Sequence, residues 1–169
     1  NKIKSSLIHE NYEVIIINDG SNDGTKDLIE SNTNLYSKFI NLQKNSGKGN
    51  AIKKGLEVSE GTYVIFQDAD LEYNPENINQ FIELSFTNDS DLILGSRFIG
   101  NNRSILFFWH MLGNKFITFF FNILNNTTFT DIYCCYLFFR RSDLDYNSLQ
   151  SKGWGQQAEI LTYVRSNSK

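Results

Sequence analysis

Asp68 and Asp70 are two carboxylates with one residue between them, and they closely follow the apolar segment 63–66. In an extended chain such residues point to the same side, so their charges converge and repel unless a cation lies between them. Carboxylate oxygens suit a hard divalent ion such as Mg²⁺ or Mn²⁺, which leaves coordination positions open to phosphate oxygens. Such an ion would offset the charge on a departing diphosphate, and Glu72 or nearby backbone could supply a further ligand. A lone pair of this kind is more often a solvated acidic loop, but its position after a strand and the company of other polar loops favour a metal site.

A third carboxylate, Asp19, follows the apolar β-branched segment 14–17 in the same way. Its oxygens could accept hydrogen bonds from the ribose or the base of a nucleotide. The alternative for this loop is capping of the next helix. We expect Ser21 or Asp23 to cap that helix while Asp19 binds the ligand.

Two cations are candidates for binding the phosphates of such a ligand. Lys48 lies between two glycines, which allow a phosphate to approach the backbone closely, although a lysine in such a loop is often only solvated. Arg97 ends the fourth apolar segment, and that position favours charge-assisted hydrogen bonds to phosphate more strongly.

These polar residues require a scaffold that brings several loops to one edge. Short apolar segments alternate along the chain with helical patterns, which predicts an α/β fold with a mostly parallel sheet and helices on both faces. The predicted strands are residues 14–17, 39–42, 63–66 and 91–94, and Pro75 fits the first turn of the helix before the last of them. In such a sheet, ligands bind beyond the carboxyl ends of the strands, where the candidate residues lie.

The second half of the chain is rich in phenylalanine, and its segment 104–124 carries a narrow polar stripe at four-residue spacing: His110, Asn114, Thr118 and Asn122. This pattern predicts a helix with one polar face. Its length would suffice for a membrane span, which needs roughly 20 apolar residues, but the stripe, Lys115 and Gly113 argue against one. We expect the helix to pack on the sheet or to lie on a bilayer surface.

The composition is that of one globular domain over residues 1–169, in which 40% of the residues are hydrophobic. A net charge of −3 argues against a nucleic-acid partner. The only two cysteines, Cys134 and Cys135, are adjacent and therefore poor partners for a disulfide. They indicate a reducing compartment, and hence the cytoplasm.

Five segments, in their order along the chain, resemble the motifs of family 2 glycosyltransferases, which have the GT-A fold. They are IIINDGSNDGT at 15–25, NSGKGNA at 45–51, DADLEYNPE at 68–76, GSRF at 95–98 and TDIYCCYLFFRR at 130–141. The last segment resembles the branch that contains dolichyl-phosphate mannosyltransferase and the bacterial polyprenyl-phosphate glycosyltransferases.

The resemblance implies a metal-dependent, inverting hexosyltransferase that takes its sugar from a UDP- or GDP-sugar. It favours polyprenyl phosphate as the acceptor, at the cytoplasmic face of a membrane and in the service of the cell envelope. A phosphate acceptor is already ionised at neutral pH, so positioning and stabilisation of the leaving diphosphate would supply most of the rate.

Residue roles follow by position in these motifs. Asp19 would contact the nucleotide, Asp68 and Asp70 would bind the metal and diphosphate, and Glu72 would stand beside them. Arg97 would lie near the diphosphate or the acceptor phosphate.

Asp131 and Glu159 match acidic residues of the same branch, where they would act as bases or orienting groups. A structural salt bridge is the alternative for Glu159.

The chain departs from the family pattern at several points. Asn18 replaces the first Asp of the first motif, a change that we expect to be tolerated, and Leu137 replaces a lysine that could contact phosphate. No opening strand with the P-x-Y-N-E motif precedes Asn1, and no membrane-proximal tail follows Lys169. We therefore expect a single catalytic domain that is truncated at both ends.

Three alternatives remain open. A glycosyltransferase with a soluble or polysaccharide acceptor would keep its activity without lipid. A phosphatase of the aspartyl-phosphate type also places D-x-D after a strand, but it calls for Thr or Val where Glu72 stands. A nucleotide-binding remnant would keep the site and lack catalysis.

Overall fold

The computed structural model describes residues 2–8, 11–70, 73–98, 107–153 and 155–167. Five strands lie in this part of the chain: β1 (Ile15–Asn18), β2 (Lys38–Asn41), β3 (Tyr63–Ile65), β4 (Leu92–Leu94) and β5 (Leu137–Arg140). Six helices accompany them: α1 (Lys2–Ser6), α2 (Thr25–Glu30), α3 (Lys48–Val58), α4 (Ile78–Thr87), α5 (Phe108–Asn125) and α6 (Gly155–Asn167). The four predicted strands are confirmed, each within one residue of its expected bounds.

The strands pair in two groups. β1 and β2 are parallel, with Ile15 opposite Lys38 and Asn18 opposite Asn41. β5 lies between β3 and β4 and is antiparallel to both, so β3 and β4 run in the same direction. The α/β class is confirmed. Of the three strand pairs in the described part of the chain one is parallel and two are antiparallel, which differs from the mostly parallel sheet that the sequence predicted. The antiparallel pairs arise from a strand that was not among the predicted ones. The sequence of β5 is apolar on both sides of the strand and therefore lacks the alternation by which a half-buried strand is identified.

The core lies on both faces of β5. Phe139 is 0% exposed and packs in a cluster with Leu56 of α3, Phe121 of α5 and Leu161 of α6. Its neighbour Phe138 points to the opposite face and joins a second cluster with residues of α4. The helices thus cover both faces of the sheet, as the sequence predicted.

Helix α4 is entered through a single 3₁₀ turn, Pro75–Asn77. Pro75 occupies its first position, where its missing N–H and fixed φ cost nothing. The side chain of Asn74 caps the turn by accepting a hydrogen bond from the Glu76 amide. This turn ends the loop that begins with Asp68.

Helix α5 packs with three of its four stripe residues, Asn114, Thr118 and Asn122, toward the domain, whereas His110 is exposed. Asn114 and Thr118 are buried, whereas Trp109 is 75% exposed and Phe116 is 63% exposed. Phe121 is the large apolar residue of this helix that enters the core. Of the two expectations for this helix, packing of its apolar residues on the sheet holds for Phe121, whereas most of its other aromatic residues are exposed. Contact of these residues with a bilayer surface stays a prediction.

We define the outer face of α5 as six large apolar side chains that solvent reaches: Trp109, Leu112, Phe116, Phe119, Phe120 and Ile123. Within the described ranges, no helix combines the length and the apolarity that a membrane crossing requires.

Candidate active site

The loops that follow β1 and β2 are joined through Asp19. One oxygen of its carboxylate accepts hydrogen bonds from the amide and the hydroxyl of Ser46, and the other accepts one from the Gly47 amide, all at 2.9 Å. The backbones approach so closely that a Cβ at Gly20 would lie 2.4 Å from the carbonyl carbon of Lys44. Asp19 thus orients the loop that leads into α3, a contact that sequence spacing did not indicate.

The contacts of Asn18 at the end of β1 account for an amide at the position where the family has an Asp. It is 4% exposed, and its amide nitrogen donates to the side-chain oxygen of Asn41 at 2.8 Å across the β1–β2 pair. Its oxygen accepts a hydrogen bond from the Ser21 amide. A carboxylate could not donate to Asn41, so the amide at position 18 matches the amide opposite it.

Lys48 and Asp68 join the third loop to the first two. The Lys48 ammonium lies 2.7 and 2.8 Å from the two carboxylate oxygens of Asp68, which places the first residue of α3 against the end of β3. Both side chains are about one-third exposed. The loops after β1, β2 and β3 therefore form one edge of the domain, where the β1–β2 pair meets the three-stranded sheet.

Arg97 and Asp131 form a second ion pair after β4. Nε and Nη2 of Arg97 donate to the two oxygens of Asp131 at 2.7 and 2.9 Å, and the Arg97 amide adds a third hydrogen bond. Asp131 is 0% exposed, whereas the Arg97 side chain is 18% exposed. Burial is the largest influence on the Asp131 pKa and acts to raise it, but the hydrogen bonds and charge of Arg97 together hold that pKa below its usual value.

The adjacent cysteines lie between the two ion pairs. Both are free thiols and buried. Burial, reinforced by the charge of Asp68, raises the pKa of Cys135 to about 12. The Tyr73 hydroxyl accepts a hydrogen bond from the Cys135 amide, and Tyr73 also feels the charge of Arg97. These contacts connect the Asp68 side of the edge with the Arg97 side.

The acidic loop after β3 is held by Tyr136. Its hydroxyl lies 2.6 Å from the side-chain oxygen of Gln67 and 2.8 Å from the carbonyl oxygen of Asn74. Sequence reasoning missed this residue, although its position in the TDIYCCYLFFRR motif marked the segment. Asp70, in the same loop, is exposed.

The family model of glycosyl transferase family 2 matches residues 2–146. The chain belongs to this family. Its motifs at 15–25, 45–51, 68–76, 95–98 and 130–141 all fall within the match. Family membership argues against the phosphatase alternative.

Three glycosyltransferases are similar to this chain. The glycosyltransferase AglJ of Haloferax volcanii is 28% identical over 148 residues, covering 87% of this chain and 47% of its own. An undecaprenyl-phosphate 4-deoxy-4-formamido-L-arabinose transferase of Aeromonas hydrophila is 42% identical over 141 residues, covering 82% and 42%. A dolichol-phosphate mannosyltransferase of Pyrococcus furiosus is 32% identical over 99 residues, covering 58% and 28%. The chain thus spans less than half the length of these curated relatives.

Among solved structures, residues 1–349 of TarS from S. aureus superpose with a TM-score of 0.62 at 19% identity. The match covers 98% of this chain and 50% of that one. At this identity the likeness shows the fold, and it agrees with the GT-A architecture of family 2 glycosyltransferases.

In this family 2 glycosyltransferase, Glu159 anchors a loop. Its two carboxylate oxygens accept hydrogen bonds from the backbone amides of Gln150 and Ser151 at 2.8 and 3.0 Å. In the same segment, the Lys152 carbonyl oxygen accepts a hydrogen bond from the Gly49 amide. The segment therefore supports the start of α3, where Lys48 lies. A catalytic role for Glu159 stays a prediction, whereas its contacts are those of a structural residue.

The described carboxylates have the chemistry for a divalent metal. Glu72, the third predicted ligand, lies outside the described residues, and within these no group of three or more His, Cys, Asp and Glu is arranged around a metal position. Mg²⁺ needs only one or two protein carboxylates when substrate phosphates supply the rest of its octahedral shell. Asp68 and Asp70 fit that requirement, with Asp68 held by Lys48 at the edge where a diphosphate would bind.

Proposed function

We propose that this chain is the donor-binding and catalytic part of an enzyme that transfers a sugar from a nucleotide-diphosphate donor to polyprenyl phosphate with inversion. The observation that carries this proposal is the Lys48–Asp68 ion pair. It joins the loop of the metal candidates to the loop that Asp19 orients. A lysine, a carboxylate and a glycine-lined backbone thus meet at one edge of the domain.

On the donor side, the chain's own residues bind and orient the diphosphate. Asp19 fixes the loop that leads into α3 by accepting hydrogen bonds from the Ser46 and Gly47 amides. The ammonium of Lys48, the first residue of α3, is the group that would contact the diphosphate. A divalent ion held by Asp68 and Asp70 would stabilise the negative charge of the leaving diphosphate. Lys48 would then exchange its contact with Asp68 for one with phosphate.

On the acceptor side, Arg97 is the candidate for binding a phosphate. Its pair with Asp131 uses Nε and Nη2, so the guanidinium can present Nη1 to a second anion. A phosphate nucleophile is ionised at neutral pH and needs little help from a base. Asp131, whose pKa is lowered by its contacts, accordingly orients Arg97 in this proposal and removes no proton.

A lipid-borne acceptor accounts for the outer face of α5. Two relatives carry undecaprenyl phosphate or dolichol phosphate in their names. A helix that turns most of its polar stripe inward and exposes aromatic residues is suited to lie at a bilayer surface. We therefore propose that the chain lies at the cytoplasmic face of a membrane that carries the acceptor.

The donor site is tested by calorimetric titration of UDP and GDP into the full chain, with and without Mn²⁺. The expected result is Mn²⁺-dependent binding of one nucleotide, which is lost in an Asp68→Ala, Asp70→Ala double variant. Glu83→Ala, which removes an exposed carboxylate on α4, is the control and should bind as the unaltered chain does. A folded full chain that binds neither nucleotide would overturn the proposal.

The acceptor is tested by transfer of radiolabelled sugar from UDP- and GDP-hexoses to undecaprenyl phosphate in detergent or vesicles. Product that appears only with the lipid phosphate supports the proposal. Equal transfer to a soluble acceptor without lipid would instead establish the soluble-acceptor alternative.

A further inference from the structure

Three residues of the polar stripe of α5, Asn114, Thr118 and Asn122, form a hydrogen-bonded seam against residues 127–132. Asn122 holds the backbone of Phe129 through both ends of its amide, at 2.8 and 3.0 Å. One turn nearer the N-terminus, the Thr118 hydroxyl lies 3.4 Å from the amide of Ile132 and donates to the Asn114 side-chain oxygen at 3.0 Å. The seam ends at Asn114, whose amide nitrogen donates to Asp131 at 2.8 Å.

Asn114 acts on the same carboxylate oxygen as Arg97. Nη2 of Arg97 and Nδ2 of Asn114 both donate to Oδ1 of Asp131. Asp131 is fully buried, so its orientation is set by these donors and not by solvent. Two donors from different elements on one buried oxygen fix both the carboxylate and the guanidinium that is paired with it.

We propose that Asn114 is a positioning residue for Arg97, acting through Asp131. The inference rests on the proposed function, because it assigns Arg97 the task of binding a substrate phosphate. Thr118 completes the arrangement by fixing the amide of Asn114 so that its nitrogen faces Asp131. Asn114 belongs to α5, so the position of this helix on the domain sets the direction of the Arg97 guanidinium through Asp131.

The alternative is that Asn114 only satisfies a buried polar network and contributes to stability. Asn122 separates the two possibilities because it is the same residue type, on the same stripe of the same helix, and makes comparable hydrogen bonds. Its partners are Phe129 and Thr127, and it does not contact Asp131. Asn114→Leu and Asn122→Leu should therefore lower stability alike and differ in their effect on Arg97.

The first measurement is the Nε–H cross-peak of Arg97 in the heteronuclear NMR spectrum of the full chain, assigned with Arg97→Lys. In Asn114→Leu this cross-peak should shift and exchange faster with water, whereas in Asn122→Leu it should stay in place. Asn114→Asp is nearly isosteric and covers the case in which the Leu variant does not fold. It puts an acceptor where a donor faced Asp131, and it should move the same cross-peak. An unmoved Arg97 cross-peak in a folded Asn114 variant would overturn the proposal.

The second measurement is the rate of sugar transfer to undecaprenyl phosphate. Asn114→Leu should lower kcat about tenfold with little change in the donor KM, whereas Asn122→Leu should stay within about twofold of the unaltered chain. An equal loss in both variants would make Asn114 a structural residue. If the unaltered chain transfers no sugar, the proposed function fails, and the NMR comparison still decides the role of Asn114.

Discussion

At the scale of the residue, the contacts of Asp131 favour one of the two roles that its motif leaves open. Its sequence position matches an acidic residue near the active site, where a base is one possibility. In the structure it accepts hydrogen bonds from Arg97, Asn114 and the Tyr133 amide while fully buried. A carboxylate that is saturated in this way is stabilised as the anion, which suits an orienting group better than a proton acceptor.

The Arg97–Asp131 pair should contribute to stability in a pH-dependent way. The folded-state pKa of Asp131 lies below its ordinary value of 3.8, so its contribution is fully present above that value and is lost as pH falls below it. Asp131→Asn should lower the free energy of unfolding by about 3 kcal/mol at neutral pH, because it leaves a mostly buried guanidinium without its counter-charge. Urea unfolding of both proteins at several pH values measures the difference.

The expected result is a gap between the two proteins that is constant near neutrality and narrows in acid below the ordinary Asp range. A gap that keeps the same size in acid would show that the carboxylate charge contributes nothing to the pair.

The Lys48–Asp68 pair should compete with a metal for Asp68. Lys48→Met should raise the Mn²⁺ affinity of the nucleotide-free chain by up to about fivefold, since an ion pair that is one-third exposed is worth at most about 1 kcal/mol. The same change should weaken binding of the nucleotide diphosphate in the presence of Mn²⁺, because a phosphate contact is lost. Calorimetry on the same preparation measures both.

Lys54→Met is the matched control for this change. Lys54 lies on the same helix and pairs with Glu57 at 2.8 Å, away from Asp68. Identical Mn²⁺ affinities for the Lys48 and Lys54 variants would show that Lys48 does not compete with Mn²⁺ for Asp68.

At the scale of the element, two glycines in helices should respond in opposite ways to alanine. Gly113 in α5 has open space where a Cβ would go, whereas a Cβ at Gly49 in α3 would lie 2.5 Å from the Ser151 carbonyl oxygen. Gly113→Ala should stabilise the chain by about 0.5–1 kcal/mol through lower backbone entropy in the unfolded state. Gly49→Ala should destabilise it by about 1–3 kcal/mol, because backbone must shift to make room.

Urea unfolding of the two variants checks these values side by side. Stabilisation by Gly49→Ala would mean that the start of α3 and the segment 150–153 are not packed together as described.

The helices and strands divide clearly into those that sequence predicts and those that it does not. β1 to β4 are short apolar segments closed by polar turns, and each was predicted within one residue. The four-residue spacing of the polar stripe on α5 was also visible in the sequence, but the sequence did not show whether the stripe faces solvent or the domain. A polar stripe normally faces solvent. Three of its four residues face inward here because residues 127–132 offer them backbone groups and the Asp131 carboxylate, which lie close only after folding.

The candidate site divides in the same way. Asp19 and Asp68 each follow a predicted strand and Lys48 follows another, so their positions near the carboxyl ends of strands follow from the order of elements. Their contacts join two separate groups of strands, which that order does not predict. Two other contacts join residues that are distant in sequence. Arg97 and Asp131 are 34 positions apart, and Tyr136 and Gln67 are 69 positions apart. Both contacts depend on where β5 inserts, because Asp131 and Tyr136 lie just before that strand. That strand has no alternating pattern, so its partners could not be assigned from sequence.

At the scale of the whole molecule, β5 connects the apolar core to the candidate active site. Phe138 and Phe139 place its two faces in separate apolar clusters, and the residues just before it supply Asp131, Cys135 and Tyr136 to the site. A strand buried on both faces is held rigidly, and rigid support is what positions catalytic groups to the required accuracy. The outer face of α5 lies outside both clusters, so a partner that covers it need not disturb the core.

The charge of the whole molecule decides how that face should bind a membrane. The chain carries a net charge of −3, and α5 contains a single lysine and no acidic residue, so attraction to anionic lipid is weak. Association of the full chain with phosphatidylcholine vesicles should therefore rest on apolar burial and change less than about twofold when NaCl rises from about 0.1 to 0.5 M. Co-sedimentation measures it, and Phe116→Ser with Phe120→Ser should abolish binding while the fold is kept, since both side chains are exposed. Binding that requires anionic lipid and disappears in salt would contradict this mechanism and assign the contact to charge.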